Sequence, residues 1–251
     1  MQLLTPPPPR GRDGVKEKEE ERRYSMSKNV NRREFLKTTA ATGAILIAGD
    51  LTSVFAEELK PIQLLKPRVE GGKPLMEALK ERKSSRSFRN EKIPMQVLSD
   101  MLWAAWGVNR PEDGRRTAPS AKNNKEIDIY VVLAEGVYLY EAKDHILSPV
   151  LAQDLREMAS RNNPRPLDTA PVVLLYVADF ARMAQLTNEQ KLLFSGADAG
   201  FISQNVYLYC ASEGLATVVR GILDRPALAK EMKLRPEQNI LLAQSVGYPK
   251  G

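Results

Sequence analysis

The sequence holds one cysteine and one histidine among its 251 residues. With Cys210 alone, no intramolecular disulfide can close and no multi-cysteine metal site can be assembled. Its neighbours Tyr207, Leu208, Tyr209 and Ala211 read as the interior of a buried helix, so core packing is its expected role. His145 has no second histidine to work with, which leaves little for a zinc site or a Ser-His-Asp triad. A strand or turn histidine is the expected reading, and no metal site is expected. Also absent are G-x-G-x-x-G and G-x-x-x-x-G-K-S/T, the usual dinucleotide and P-loop signatures.

Long apolar runs are missing too. Near the amino terminus the uncharged stretch from Thr38 to Gly49 is only 12 residues long and moderately apolar, whereas a spanning helix needs about 20 residues, so no stable membrane anchor is expected. The formal charge is +6, but the excess is unevenly spread: residues 1 to 56 hold 10 of the 37 Lys and Arg and 7 of the 31 Asp and Glu. The remaining body is close to neutral, and without a clustered basic surface nucleic-acid binding is not expected.

Residues 1 to 25 carry P-P-P-P and K-E-K-E-E-E-R-R with little apolar content. They cannot bury a core, and read either as an unstructured lead or as sequence upstream of the true initiator, Met26. From Met26 the order is coherent: a basic stretch with Arg32 and Arg33, the uncharged run, and V-F-A at 54 to 56. Residues 26 to 56 therefore read as a signal peptide with a small-residue cleavage site after Ala56. N-R-R-E-F-L-K at 31 to 37 resembles the twin-arginine (Tat) export motif, with an ordinary Sec signal as the competing reading. The Tat resemblance implies a periplasmic or otherwise extracytoplasmic protein that is a partner of the Tat machinery as a precursor and is exported folded, often around a cofactor.

Residues 57 to 73 read as an extended arm, with Pro61, Pro67 and Gly71-Gly72. Beyond it, spacing predicts helices over 74 to 83, 94 to 106, 150 to 160, 189 to 213 and 225 to 232. Strands are predicted over 127 to 133, 137 to 140, 171 to 177, 215 to 219 and 240 to 246, the run P-V-V-L-L-Y-V being buried on both faces. Residues 109 to 126 read as a polar loop. The helix over 189 to 213 is apolar on most sides, with small residues flanking Asp198, and would need partners all round. The fold class is α+β.

The candidate chemistry lies in E-R-K-S-S-R-S-F at 81 to 88. Arg82, Lys83 and Arg86 supply charge and Ser84 and Ser85 hydroxyls, a set suited to a phosphate dianion; the competing reading is basic side chains complementing a helix end. R-K-S-S-R-S-F followed by I-P-x-x-x-L resembles the nitroreductase family of FMN proteins, over about Lys73 to Gly251. R-T-A-P-S-A-K-N-N-K-E-I-D-I-Y-V-V at 116 to 132 matches the family's serine-rich loop and strand, with K-E-I in place of the usual Q-P-W. The small-residue helix and G-L-A-T-V-V-R-G ending at 221, and the closing V-G-Y-P-K-G, complete the likeness.

The resemblance implies a domain over 74 to 251: a mainly antiparallel sheet flanked by helices, in an interlocked homodimer binding FMN at the subunit interface. It implies a phosphate site at Arg82, Lys83, Ser84 and Arg86, with Lys250 adding charge, and Ser120 and Asn123 beside the flavin. The backbone amides of Arg220 and Gly221 would face its reactive edge. The implied activity is two-electron transfer through FMN to or from a small-molecule substrate. The alternatives are a flavin carrier or sensor without turnover, and a substrate dehydrogenase whose FMN is re-oxidised by oxygen or an electron-transfer partner. Within the family the chain resembles the branch that includes azoline-oxidising dehydrogenases, but N-N-K-E replaces that branch's A-L-Y-P, so its substrate does not carry over.

Overall fold

The computed structural model describes residues 59–160 and 170–251. The expected lead, the signal peptide and the arginine pair Arg32-Arg33 lie outside the described residues. The elements in chain order are β1 (Ile62–Gln63), α1 (Leu75–Glu81), α2 (Met95–Trp106), β2 (Val108–Arg110), β3 (Arg115–Arg116), β4 (Ile127–Val132), β5 (Val137–Glu141) and β6 (Ile146–Leu151). They continue with β7 (Val172–Asp179), α3 (Asn188–Glu213), β8 (Ala216–Arg220), α4 (Arg225–Glu231) and β9 (Gln238–Gly247). Seven strands form one sheet in the order β1-β6-β5-β4-β7-β9-β8, with every pairing antiparallel. The expected α+β class and antiparallel sheet are what the chain adopts.

Alternation along β7 divides the interior. All eight of its residues are buried. Val172, Leu174, Tyr176 and Ala178 face a core shared with Met101 and Leu102 of α2 and Ile202 and Val206 of α3. Val173, Leu175 and Val177 face the opposite core, closed by Leu228 of α4 and by Leu155 and Ala159. The period of two thus puts helices on both faces of the strand, as its near-continuous apolar run requires.

The helices begin and end where local chemistry dictates. Pro94 sits at the start of α2, where a missing N–H costs nothing. Gly107 ends it because a Cβ there would lie 2.4 Å from Trp103 Cδ1. Thr187 and Gln190 exchange hydrogen bonds in a capping box at the start of α3, an arrangement worth about 1 kcal/mol. Gly214 closes α3 in the left-handed region at φ 69°. None of the described helices is long and apolar enough to cross a membrane.

Three expectations are corrected. Residues 150 to 160 are no helix: β6 runs through Val150 and Leu151, and only the turn Met158–Ser160 is helical. Ile146, Leu147, Val150 and Leu151 come in pairs at the spacing of a helix, and pairing with β5 makes the segment a strand. The polar loop over 109 to 126 contains the β2-β3 hairpin. In the single chain α3 is not buried all round. It buries one stripe, Ser195, Asp198, Ala199, Ile202, Ser203, Val206 and Cys210, while Leu192, Leu193 and Phe201 stand exposed.

His145 lies at the turn between β5 and β6 with φ 53°. Its Nε2 donates to Ser99 Oγ at 2.7 Å, because the Ser99 hydroxyl proton is committed to the Leu65 carbonyl; its Nδ1 accepts from Tyr140 at 2.9 Å. This is the turn histidine expected. It pins the arm, which Asp100 also holds through the backbone and side chain of Arg68.

Candidate flavin site

The loop that follows α1 is fastened at three points. Ser85 N–H donates to Thr217 O of β8 at 2.9 Å. Ser84 Oγ lies 2.8 Å from the hydroxyl of Tyr207 on α3, which accepts from the Val219 N–H at 2.9 Å. Further on, Arg89 N–H donates to Tyr248 O at 2.9 Å and Lys250 N–H to Ser87 O at 3.3 Å, so the chain's last residues run beside the loop. Gly247 permits this close approach: a Cβ would lie 2.7 Å from Pro171 Cδ and 3.2 Å from Phe88 Cδ1.

A cavity of about 440 Å³ opens here, lined by Lys83, Ser85, Tyr207, Thr217 and Lys250 among others. The Arg82 guanidinium stacks over the Tyr207 ring at 5.4 Å, and Arg86 is half-buried on the same loop. Glu81, the carboxylate at the rim, is held by Lys73 at 2.5 Å. The wall is mixed, with Cys210, Leu215 and Pro249 beside Lys83, Lys250 and Ser85, and these last three are donors of the kind that fit a phosphate monoester. Of the expected phosphate residues, Lys83 and Lys250 line the cavity, while Arg82, Ser84 and Arg86 stand on the same loop outside its lining.

Ser120 and Asn123 form a second group. Ser120 caps a short helical turn, Ala121–Asn123, in which Lys122 and Asn123 both have positive φ. Asp198 of α3 holds the turn by accepting from Ala121 N–H at 2.9 Å. Ser120 Oγ accepts from Lys125 N–H at 2.8 Å and donates to Glu126 Oε2 at 3.3 Å. Along α3, Asp198 and Tyr207 are nine residues apart, about 13.5 Å at 1.5 Å per residue, so one helix carries both groups.

Glu126 and Asp198 are both buried. Glu126 Oε1 meets no N–H or O–H donor, and its carboxyl lies against that of Asp198, where a hydrogen bond requires a shared proton. Burial raises the Glu126 pKa first, and the charge of Asp198 raises it further.

Arg220 turns its side chain away from the cavity. It is 5% exposed and donates to Ala159 O at 2.6 Å and Ser245 Oγ at 2.9 Å. Burial pushes its pKa down to about 10. Its side chain is thus not available to a ligand on the other face, where it could offer only its backbone. Gly221, next to it, is exposed, and a Cβ there would meet only Leu242 Cδ2 at 3.8 Å.

Sequence reasoning missed Tyr207, whose aromatic ring in an apolar helix carries no sign that its hydroxyl has work to do. It also missed Glu126. The signal that could have found the carboxyl pair was Asp198, a lone charge amid small residues in an otherwise apolar helix.

The model of the nitroreductase family matches residues 79–248. This chain belongs to the nitroreductase family. The match takes in both groups of site residues except Lys250, and membership makes the protein an oxidoreductase. A solved structure from Ralstonia eutropha, named as a nitroreductase, is 41% identical, with a TM-score of 0.74 over 78% of this chain and 92% of that one. A Methanocaldococcus jannaschii protein named as a nitroreductase is 28% identical over 67% of this chain and 88% of its own length. The E. coli microcin synthetase McbBCD complex, solved with truncated pro-MccB17 bound, matches with a TM-score of 0.60 at 18% identity, covering 96% of this nitroreductase and 95% of that chain. That last likeness is one of fold.

Proposed function

We propose that this nitroreductase is an exported, homodimeric FMN oxidoreductase. The observation that carries the cofactor is the fastening of the Arg82 to Arg86 loop onto Tyr207, β8 and the closing residues, around a cavity of about 440 Å³. Arg82, Lys83, Arg86 and Lys250 would hold the phosphate, with Ser84 fixed by Tyr207. Ser120 and Asn123 would flank the ring, held in place by Asp198 and Glu126. By the family likeness, the backbone amides of Arg220 and Gly221 would face the ring's reactive edge, where fixed N–H dipoles stabilise added negative charge without reorganising.

FMN, when bound, supplies the two-electron chemistry. The chain's own part is to bind, orient and exclude water, which fits a site without a nucleophile and its base. The exposed Leu192, Leu193 and Phe201 on α3 and Leu75, Met76 and Leu79 on α1 support a dimer, since they leave apolar side chains on two helices open to water. The Tat-like N-R-R-E-F-L-K supports export of the folded, loaded protein.

Purified protein should be yellow, with a flavin spectrum and FMN released on denaturation. Folded protein that is colourless and takes up no added FMN would refute the cofactor. Export is tested separately: changing Arg32→Lys together with Arg33→Lys should leave the precursor in the cytoplasm, and undiminished export would favour a Sec route.

A further inference from the structure

The β2-β3 hairpin and the turn beside it enclose a cavity of about 260 Å³ lined by Arg110, Arg115, Arg116, Ser120 and Asn123, with Ala118 and Pro119. Three guanidiniums meet at one small opening. Lys125 adds a fourth cation, its Nζ 3.5 Å from where a Cβ on Gly114 would stand at the hairpin turn. Against these, Asp113 pairs with Arg115 at 2.9 Å, and Glu112 is exposed on the same turn.

Bracing the hairpin accounts for only part of this charge. Arg110 donates from Nη2 to Arg116 O at 2.9 Å and from Nε to Asn109 Oδ1 at 3.2 Å, and Arg116 donates from Nη1 to Trp106 O at 3.1 Å, so each guanidinium keeps N–H groups to spare. Arg116 also stacks over the Trp106 ring at 5.3 Å. Neither Arg110 nor Arg116 forms an ion pair among the described residues. Arg116 Nε is buried with no acceptor. Asp113 is spent on Arg115 and Asp128 on Arg182, so Arg110 and Arg116 still repel, and a half-buried guanidinium forfeits hydration; carbonyl braces could have been made by neutral side chains. A bound anion would relieve both costs, and the guanidinium fork matches a carboxylate or phosphate in two-point geometry.

We propose that the Arg110-Arg115-Arg116 cavity is a binding site for a small organic anion bearing a carboxylate or phosphate group. The site shares Ser120 and Asn123 with the group read above as flanking the flavin. If that reading holds, the anionic molecule is the substrate, and its charged end is anchored beside the ring. The substrate assignment rests on the flavin reading; anion binding does not.

The protein carries its own probe. Its two tryptophans are Trp103 and Trp106; Trp106 lies under Arg116, and Trp103 Nε1 donates to Val108 O of β2. Tryptophan emission of the full chain as purified would be titrated with 4-nitrobenzoate, 4-nitrophenyl phosphate and neutral 4-nitrotoluene, three quenchers of similar shape. At least one anion should saturate at a concentration ten or more times lower than 4-nitrotoluene, and the tighter anion identifies the group preferred. Raising salt to about 1 M should weaken the anions and leave 4-nitrotoluene unchanged. In a variant with Arg110→Gln and Arg115→Gln, both exposed positions, the preference should vanish. Equal affinity for charged and neutral probes, or full anion preference in a folded double variant, would overturn the proposal. If the variant does not fold, the probe comparison and its salt dependence in the native chain decide alone. A colourless protein that still shows the preference would sink the flavin reading and leave the anion site standing.

Discussion

The hydroxyl of Ser84 lies 2.8 Å from that of Tyr207. Because Tyr207 also accepts the Val219 N–H at 2.9 Å, one phenol joins the loop after α1, the long helix α3 and strand β8. The loop is more than 100 residues from the other two in sequence, and all three segments bound the cavity of about 440 Å³. The site's shape therefore depends on an atom that no motif contains.

Replacing Tyr207 with Phe keeps the ring under Arg82 and removes only that atom. The Val219 N–H and the Ser84 hydroxyl lose a partner, which costs about 1 to 3 kcal/mol where the groups stay dry. Urea denaturation should show the loss in stability, and FMN titration a weaker complex. A variant unchanged in both measurements would mean that water replaces the phenol without penalty.

Arg86→Ala tests the phosphate assignment directly. A charged hydrogen bond to an anion contributes about 1.5 to 3 kcal/mol, so FMN affinity should fall roughly 10- to 150-fold. Riboflavin, which lacks the phosphate, should bind native and variant chains alike. If riboflavin loses as much as FMN, Arg86 acts on the loop's fold and not on the phosphate.

Much of this site was legible in the sequence, because charge and hydroxyl content at 82 to 86 are properties of residue type. What was not legible depends on pairing. In β6, the register sets Pro149 opposite Tyr138 on β5. The two-residue β1 pairs only with Ile146 and Leu147, so beyond Ser148 the strand is an edge and a proline's missing N–H does no harm. Read without its neighbours, the same segment satisfies helical spacing. Likewise, three arginines within 110 to 116 read as a solvated loop until a hairpin brings them to one opening. For β7 the signal is stronger, since a short apolar run rich in valine that opens on Pro171 favours a strand covered on both faces.

Glu126 supplies a pH test. Burial, and secondarily Asp198, raises its folded-state pKa above the ordinary 4.5. Its contribution to stability is thus complete below about 4.5 and is lost as pH rises through the raised value, when the shared proton leaves and two buried carboxylates repel. Melting temperature measured from about pH 5 to about pH 9 should fall more in the native chain than in Glu126→Gln, whose amide can donate to Asp198 at any pH. Parallel profiles would show that the pair does not share a proton.

The open apolar face makes the last prediction. On α1, Met76 is 75% exposed, and on α3 Leu193 is 67% exposed, although each helix also contributes to the core through Ala78 and through Ile202 and Val206. A helix that buries one stripe and presents apolar side chains on another is under-satisfied as a monomer. A second copy is the simplest cover, because a twofold interface matches each patch with itself. Met76→Glu with Leu193→Glu sets like charges into that face without touching the core. Sedimentation should then show a monomer where the native chain is a dimer, with the far-ultraviolet spectrum unchanged. Loss of bound FMN in the monomer would place the cofactor at the subunit boundary, while retention would assign the whole site to one chain. A native chain that sediments as a monomer would leave the exposed residues to some other partner.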